Sequence, residues 1–117
     1  MKVKLLNIVN SKNAITKLGE KTSYDAKTAY RIARNIKEII SELENFEKAK
    51  GELFKKYGEK DGDDIKIKKE NTDVFNKELS DILDIDVELD IIMINPEKLS
   101  GSSPFELLAV EWMLELE

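Results

Sequence analysis

Residues 23–57 read SYDAKTAYRIARNIKEIISELENFEKAKGELFKKY, and the fold turns on this stretch. Ser23 and Asp25 each offer an oxygen to a free first-turn N–H, so either can start a helix. The stretch contains no proline, and its only glycine is Gly51. Apolar residues recur at Ile32, Ile36, Ile39, Leu43, Phe46, Leu53 and Tyr57 in alternating steps of four and three, with Lys50 in the one polar slot. That is a heptad seam. Ala29, Ala33, Ile40 and Phe54 widen it at its edges. On a straight helix a seven-residue repeat drifts by roughly 20° per heptad, so left-handed supercoiling against a neighbour is expected.

A helix from Asp25 to Tyr57 would run about 50 Å at 1.5 Å per residue. A compact chain of this size has a radius of gyration of only about 13–14 Å. Part of the seam is therefore expected to lie outside the chain's own core, against another protein. A second copy of the chain is the favoured partner, and a dimer the favoured assembly. The plainer alternative is that the C-terminal segments pack along the seam and use it up, helped by a kink or early end at Gly51.

Around this helix, 117 residues allow one domain, 1–117, with a modest core. Lys2 to Val9 begins in alternation and reads as a strand. Asn10 or Ser11 then caps a short helix over Lys12–Leu18, with Ala14, Ile15 and Leu18 inward and Gly19 ending it. Residues 57–64, with two glycines and four acids, read as a polar loop. The acids lack the order of a calcium loop, so a solvated turn is the expectation. Ile65–Lys68 alternates as a brief strand. Asn71 or Thr72 caps a helix through Leu83, with Val74, Phe75, Leu79, Ile82 and Leu83 inward. Asp84–Ile94 alternates most clearly and reads as a strand stopped by Asn95-Pro96. Ser103, Pro104 and Glu106 form a capping box that opens the last helix. That helix carries two apolar stripes: Phe105, Leu108, Ala109, Trp112, Met113 and Leu116, and opposite them Leu107, Val110 and Leu114. A surface helix needs one such face. Leu107, Val110, Trp112 and Leu114 are therefore candidates for contact with a partner. The expected fold is α+β: one long helix and two or three shorter ones, packed with a small two- or three-stranded sheet.

The chain has 24 acidic and 19 basic residues, a balance of −5. That speaks against nonspecific binding to nucleic acid or an anionic membrane. It has no histidine, the commonest general base and transition-metal ligand, and no cysteine for thiol chemistry or disulfides. No apolar run reaches spanning length and no signal-peptide pattern opens the chain, so a cytosolic protein without a membrane partner is expected.

Two charge features remain. Asp84, Asp86, Glu88 and Asp90 project from one side of the alternating segment, about 6.5–7 Å apart. Such a row could hold a divalent metal or do acid–base work. It could also pair with Lys2/Lys4 or Lys66/Lys68 across a sheet, which would fix the register. The second reading is favoured. Lys27, Arg31, Arg34 and Lys37 form a basic face near the start of the long helix, where the helix dipole disfavours cations. Solvation or pairing with acids is the simplest account; an anionic partner is the alternative.

Residues 27–37 (KTAYRIARNIK), 56–61 (KYGEKD), 75–79 (FNKEL), 87–90 (VELD) and the terminal Leu107–Met113 segment with Glu111-Trp112-Met113 carry a resemblance. The chain resembles a family of small proteins of bacteriophages and prophages of Gram-positive bacteria. The resemblance implies a phage gene product at work in the host-cell cytoplasm or the virion, and brings no catalytic residues with it. Residues and resemblance together lead to the expectation of a non-catalytic accessory protein that acts by protein–protein contact, self-associates, and needs no metal or cofactor. Two alternatives stand beside it. One is an inhibitor of a host enzyme or defence complex that uses the acidic face. The other is a metal-dependent hydrolase using Asp84, Asp86 and Glu88.

Overall fold

A computed structural model describes residues 1–99 and 101–115. The fold is α+β, with one long helix, several shorter ones and two small antiparallel sheets. The long helix, α3, runs unbroken over Ala26–Tyr57. Asp25 caps it: its Oδ2 accepts from the Thr28 N–H at 3.3 Å, and its Oδ1 from the Thr28 hydroxyl at 2.7 Å. These bonds to the ionised form, the hydroxyl first, hold the Asp25 carboxyl below its ordinary range. Helix α3 sets the molecule's shape. The principal extents are 51 × 29 × 23 Å, and the radius of gyration of 17.0 Å exceeds that of a sphere-like chain.

The rest of the chain wraps the seam. Before α3 come β1 (Lys2–Lys4), α1 (Leu5–Asn10) and α2 (Lys12–Glu20). After it come β2 (Gly58–Asp61), β3 (Asp64–Ile67), α4 (Thr72–Leu83), β4 (Asp86–Glu88) and α5 (Pro104–Ala109). Ile32, Ile39, Phe46 and Leu53 are buried, while Ile36, Leu43 and Tyr57 are half-buried. Ile32, Ile39 and Phe46 join Val3, Leu5, Ile8, Ile15 and Leu18 in one apolar cluster with Leu89, Ile94, Val110 and Met113. Further along, Phe54 meets Phe75 of α4 edge to face, with centroids 5.2 Å apart. The expectation that the seam itself lies partly outside the chain's own core is thus corrected. The cover comes from the N-terminal β1, α1 and α2 as well as from the C-terminal segments that the plainer alternative named, and without any kink at Gly51.

The sheets differ in detail from the expected one. β1 pairs with β4, matching Lys2 with Glu88, Val3 with Val87 and Lys4 with Asp86. β2 and β3 form a separate hairpin that matches Glu59 with Lys66. Residues 58–61, expected as loop, are therefore strand. Gly62 takes a φ of +68° at the first turn position, a tight-turn geometry that favours glycine. The first strand ends at Lys4 because alternation ends there. Leu5, Ile8 and Val9 sit at helical spacing, and the chain turns helical to bury Leu5 and Ile8. The acidic strand shortens because β1 offers only three residues to pair with.

Leu89 still exchanges backbone hydrogen bonds with Met1, and beyond it the chain leaves the sheet. There Asn35 of α3, fully buried, replaces a neighbouring strand. Its Nδ2 donates to the Ile92 carbonyl at 2.8 Å, and the Ile92 N–H donates to its Oδ1 at 2.9 Å. Two residues on, the Ile94 N–H donates to the Met113 carbonyl, and the Glu115 N–H donates to the Ile94 carbonyl. Among the described residues no helix is long and apolar enough to cross a membrane.

Two glycines, one within the rod and one just past its end, should respond oppositely to alanine. At Gly51 an added Cβ meets open space, so Gly51→Ala should stabilise by about 0.5–1 kcal/mol. At Gly58 a Cβ would strike the Phe54 carbonyl and the Ile65 side chain, so Gly58→Ala should destabilise by roughly 1–3 kcal/mol. Urea unfolding of the two variants checks both signs. Asn35→Ala should cost roughly 2–4 kcal/mol in the same assay, because it strands the donor and acceptor of Ile92.

Candidate interaction surface

The acidic row and the basic face meet at one pair only, Arg34 with Asp90; the rest of the row pairs with the N-terminal residues Met1 and Lys4. Lys4 Nζ lies 2.9 Å from an Asp84 oxygen and 3.7 Å from Asp86. The α-amino group of Met1 lies 3.0 Å from Glu88. Arg34 lies 3.7 Å from Asp90. Each carboxylate of the row thus has a cation beside it. The Asp84 hydrogen bond, then the Asp84 and Asp86 charges, raise the Lys4 pKa. All these groups are exposed, so each pair contributes little alone. The Lys4 and Met1 pairs favour the register of β1 against β4; of the expected ladder Lys4 takes its place, while the Met1 amine rather than Lys2 stands at Glu88. Among the described residues no three acidic side chains converge where a metal ion could sit.

The basic face itself divides. Arg34 turns to Asp90, whereas Lys27 and Arg31 line a polar cleft of about 290 Å³ with Asp25, Asn95, Lys98 and Glu115. Lys37 stays exposed further along α3. No single basic patch results, because consecutive turns of the helix face different neighbours.

The C-terminal residues depart most from expectation. Ser103 caps α5 as predicted, its Oγ accepting from the Glu106 N–H at 3.2 Å, with Pro104 at the first helical position. The helix ends at Ala109, and Glu111–Met113 form a single 3₁₀ turn. That turn carries Val110, Met113 and Leu114 into the core. Val110 and Leu114, expected on a partner-facing stripe, are therefore buried in their own chain, and Leu107 and Trp112 are half-buried. Leu116 lies outside the described residues. Phe105 and Leu108, which are not among the partner candidates, point to solvent at 84% and 65% exposure. Val74 of α4 is likewise exposed rather than inward.

Phe105 and Leu108 stand one turn apart on α5. Beside Leu108 opens a cleft of about 400 Å³, lined by Asn7, Asn10, Ala109, Glu111 and Trp112. The Trp112 Nε1 donor is buried with no partner among the described residues. α5 is held from behind by Lys21, whose Nζ donates to Ser102 Oγ at 2.9 Å and lies 3.8 Å from Glu106 Oε2. Burial, then the Glu106 charge, raises the nearby Tyr24 phenol pKa. The two exposed apolar side chains thus sit on a helix anchored at its N-terminus. Sequence reading missed them because both stripes of the segment are apolar, and the cap fixes where the helix starts but not which stripe turns inward.

Comparison with known proteins finds no matching family model, no matching characterised relative and no matching solved structure.

The ladder is open to a direct test. Lys4→Glu places like charge against Asp84 and Asp86, and the melting temperature should fall. Asp84→Lys with Asp86→Lys in the same chain should recover most of the loss.

Proposed function

We propose that this chain is a non-catalytic protein that works by binding other proteins, a second copy of itself among them. One observation carries the reading: Phe105 and Leu108 hold two large apolar side chains in water beside a tryptophan-walled cleft. Burying either is worth about 1.5–3 kcal/mol. Anchors of this type beside a cleft are what protein interfaces are built around. The pairing within the acidic row leaves the hydrolase and the acidic-mimic alternatives without a geometric argument in their favour. The phage setting, in the host cytoplasm or the virion, enters this proposal through the resemblance alone.

The α5 surface is tested by capture from infected host cells with the wild-type chain and with a Phe105→Ser/Leu108→Ser variant. Both positions are exposed, so the variant should melt at the wild-type temperature. A protein retained by the wild type and lost by the variant supports the reading. Equal retention by both overturns the role of this surface.

A further inference from the structure

Helix α3 carries two apolar stripes, and its own chain covers only one. The second is the edge of the seam: Ala29, Ala33 and Ile40, flanked by the seam residues Ile36 and Leu43 and ending at Glu47, again in alternating steps of four and three. Ile36 and Leu43 border the core and are half-buried, while Ala29, Ala33, Ile40 and Glu47 face solvent, Ile40 at 46% exposure. At its centre lies an open, mostly apolar cleft of about 360 Å³ between Lys12, Ile40, Leu43, Glu44 and Glu47. Ala29, Ala33 and Ile40 are edge residues of the seam, left outside when its centre was wrapped.

The cleft sits at the midpoint of a helix that spans Ala26–Tyr57. A two-fold axis there, perpendicular to the rod, lets two copies overlap along the whole helix. A two-fold axis elsewhere would leave part of each rod unmatched. Antiparallel pairing about Glu42 sets Lys37 of one copy opposite Glu47 of the other, twice by symmetry. It sets Ile40 over the aliphatic stem of Glu44, and Ala33 opposite Gly51. Open space surrounds the Gly51 Cβ position, so the backbones can approach closely there. A parallel pair would instead set Lys37, Glu44 and Glu47 each against its own copy, and like charges in register oppose association. An isologous antiparallel contact is thus the arrangement this charge pattern selects.

We infer that a second copy of this chain docks antiparallel on the Ala33–Ile40–Glu47 stripe of α3, about a two-fold axis near Glu42. The inference rests on the self-association proposed above and assigns it a face distinct from α5.

The test uses the full chain, which has no cysteine of its own. Light scattering should show a dimer. Lys37→Glu should weaken it at least about tenfold in Kd, and adding Glu47→Lys to the same chain should bring Kd back to within about threefold of wild type. Ala33→Cys with Gly51→Cys should cross-link into covalent dimers on mild oxidation, while each single-cysteine variant does not. Eighteen residues separate these positions, about 27 Å along one helix, so that bond can form only between copies. A monomer by light scattering overturns both this inference and self-association. A dimer indifferent to Lys37→Glu, or one in which single cysteines cross-link as well as the pair, overturns this interface and leaves self-association standing. All the altered side chains are exposed, and unchanged circular dichroism and melting temperature confirm that each variant is folded.

Discussion

The buried amide of Asn35 ties the two halves of this fold together. A rod of 32 residues cannot be enclosed by local structure alone, so a distant part of the chain must be brought against it. That part is the segment after β4, whose peptide groups bond Met1 at Leu89 and the C-terminal residues at Ile94, with Ile92 between them. Asn35 offers it one donor and one acceptor in the spacing of a strand edge, and the Ile92 peptide takes both. A hydrophobic residue would pack at this point without telling the segment where to stop. The paired hydrogen bonds permit one register, since a shift along the rod would leave buried polar groups unsatisfied. With Ile92 fixed, Leu89 and Ile94 reach the core, and Ile94 in turn receives the C-terminal residues Met113–Glu115.

The charges do related work on the outside. A row of four carboxylates would push a strand apart from within. Here Lys4, the Met1 amine and Arg34 each stand beside one or two of them. The pairs are solvent-exposed and individually weak, so their effect is on alignment more than on stability. The acidic segment is thereby held to β1 at one end and to α3 at the other.

What the folded chain leaves uncovered is as informative as what it covers. Wrapping the rod uses one stripe of α3 and the inward side of the C-terminal turn. Phe105 and Leu108 on α5, and Ala29, Ala33 and Ile40 on α3, remain outside. Both surfaces lie on helices anchored at their N-termini by side-chain caps, Ser103 on Glu106 and Asp25 on Thr28. Rigid presentation of apolar side chains lowers the entropy lost on association, which suits them to contact with other proteins.

Much of the fold was legible in the sequence. Helical periodicity and a good cap placed α3 to within a residue or two, located α2 and α4, and set the start of α5, because these signals act between residues a few positions apart. Alternation paired with opposite charge narrowed the acidic strand's neighbour to the Lys2/Lys4 or the Lys66/Lys68 strand, and the tertiary structure took the first. The apolar pattern cannot say which of two greasy stripes turns inward, and that choice inverted the reading of α5. Leu114 enters the core because Ile94 offers it a backbone partner, and Ile94 is in place because Asn35 holds Ile92. Nor could the sequence tell that the seam of α3 would be enclosed by its own chain while its edge stayed open. That depended on how many short segments, far apart in the chain, could be folded back along one rod, and only the tertiary arrangement decides such a count.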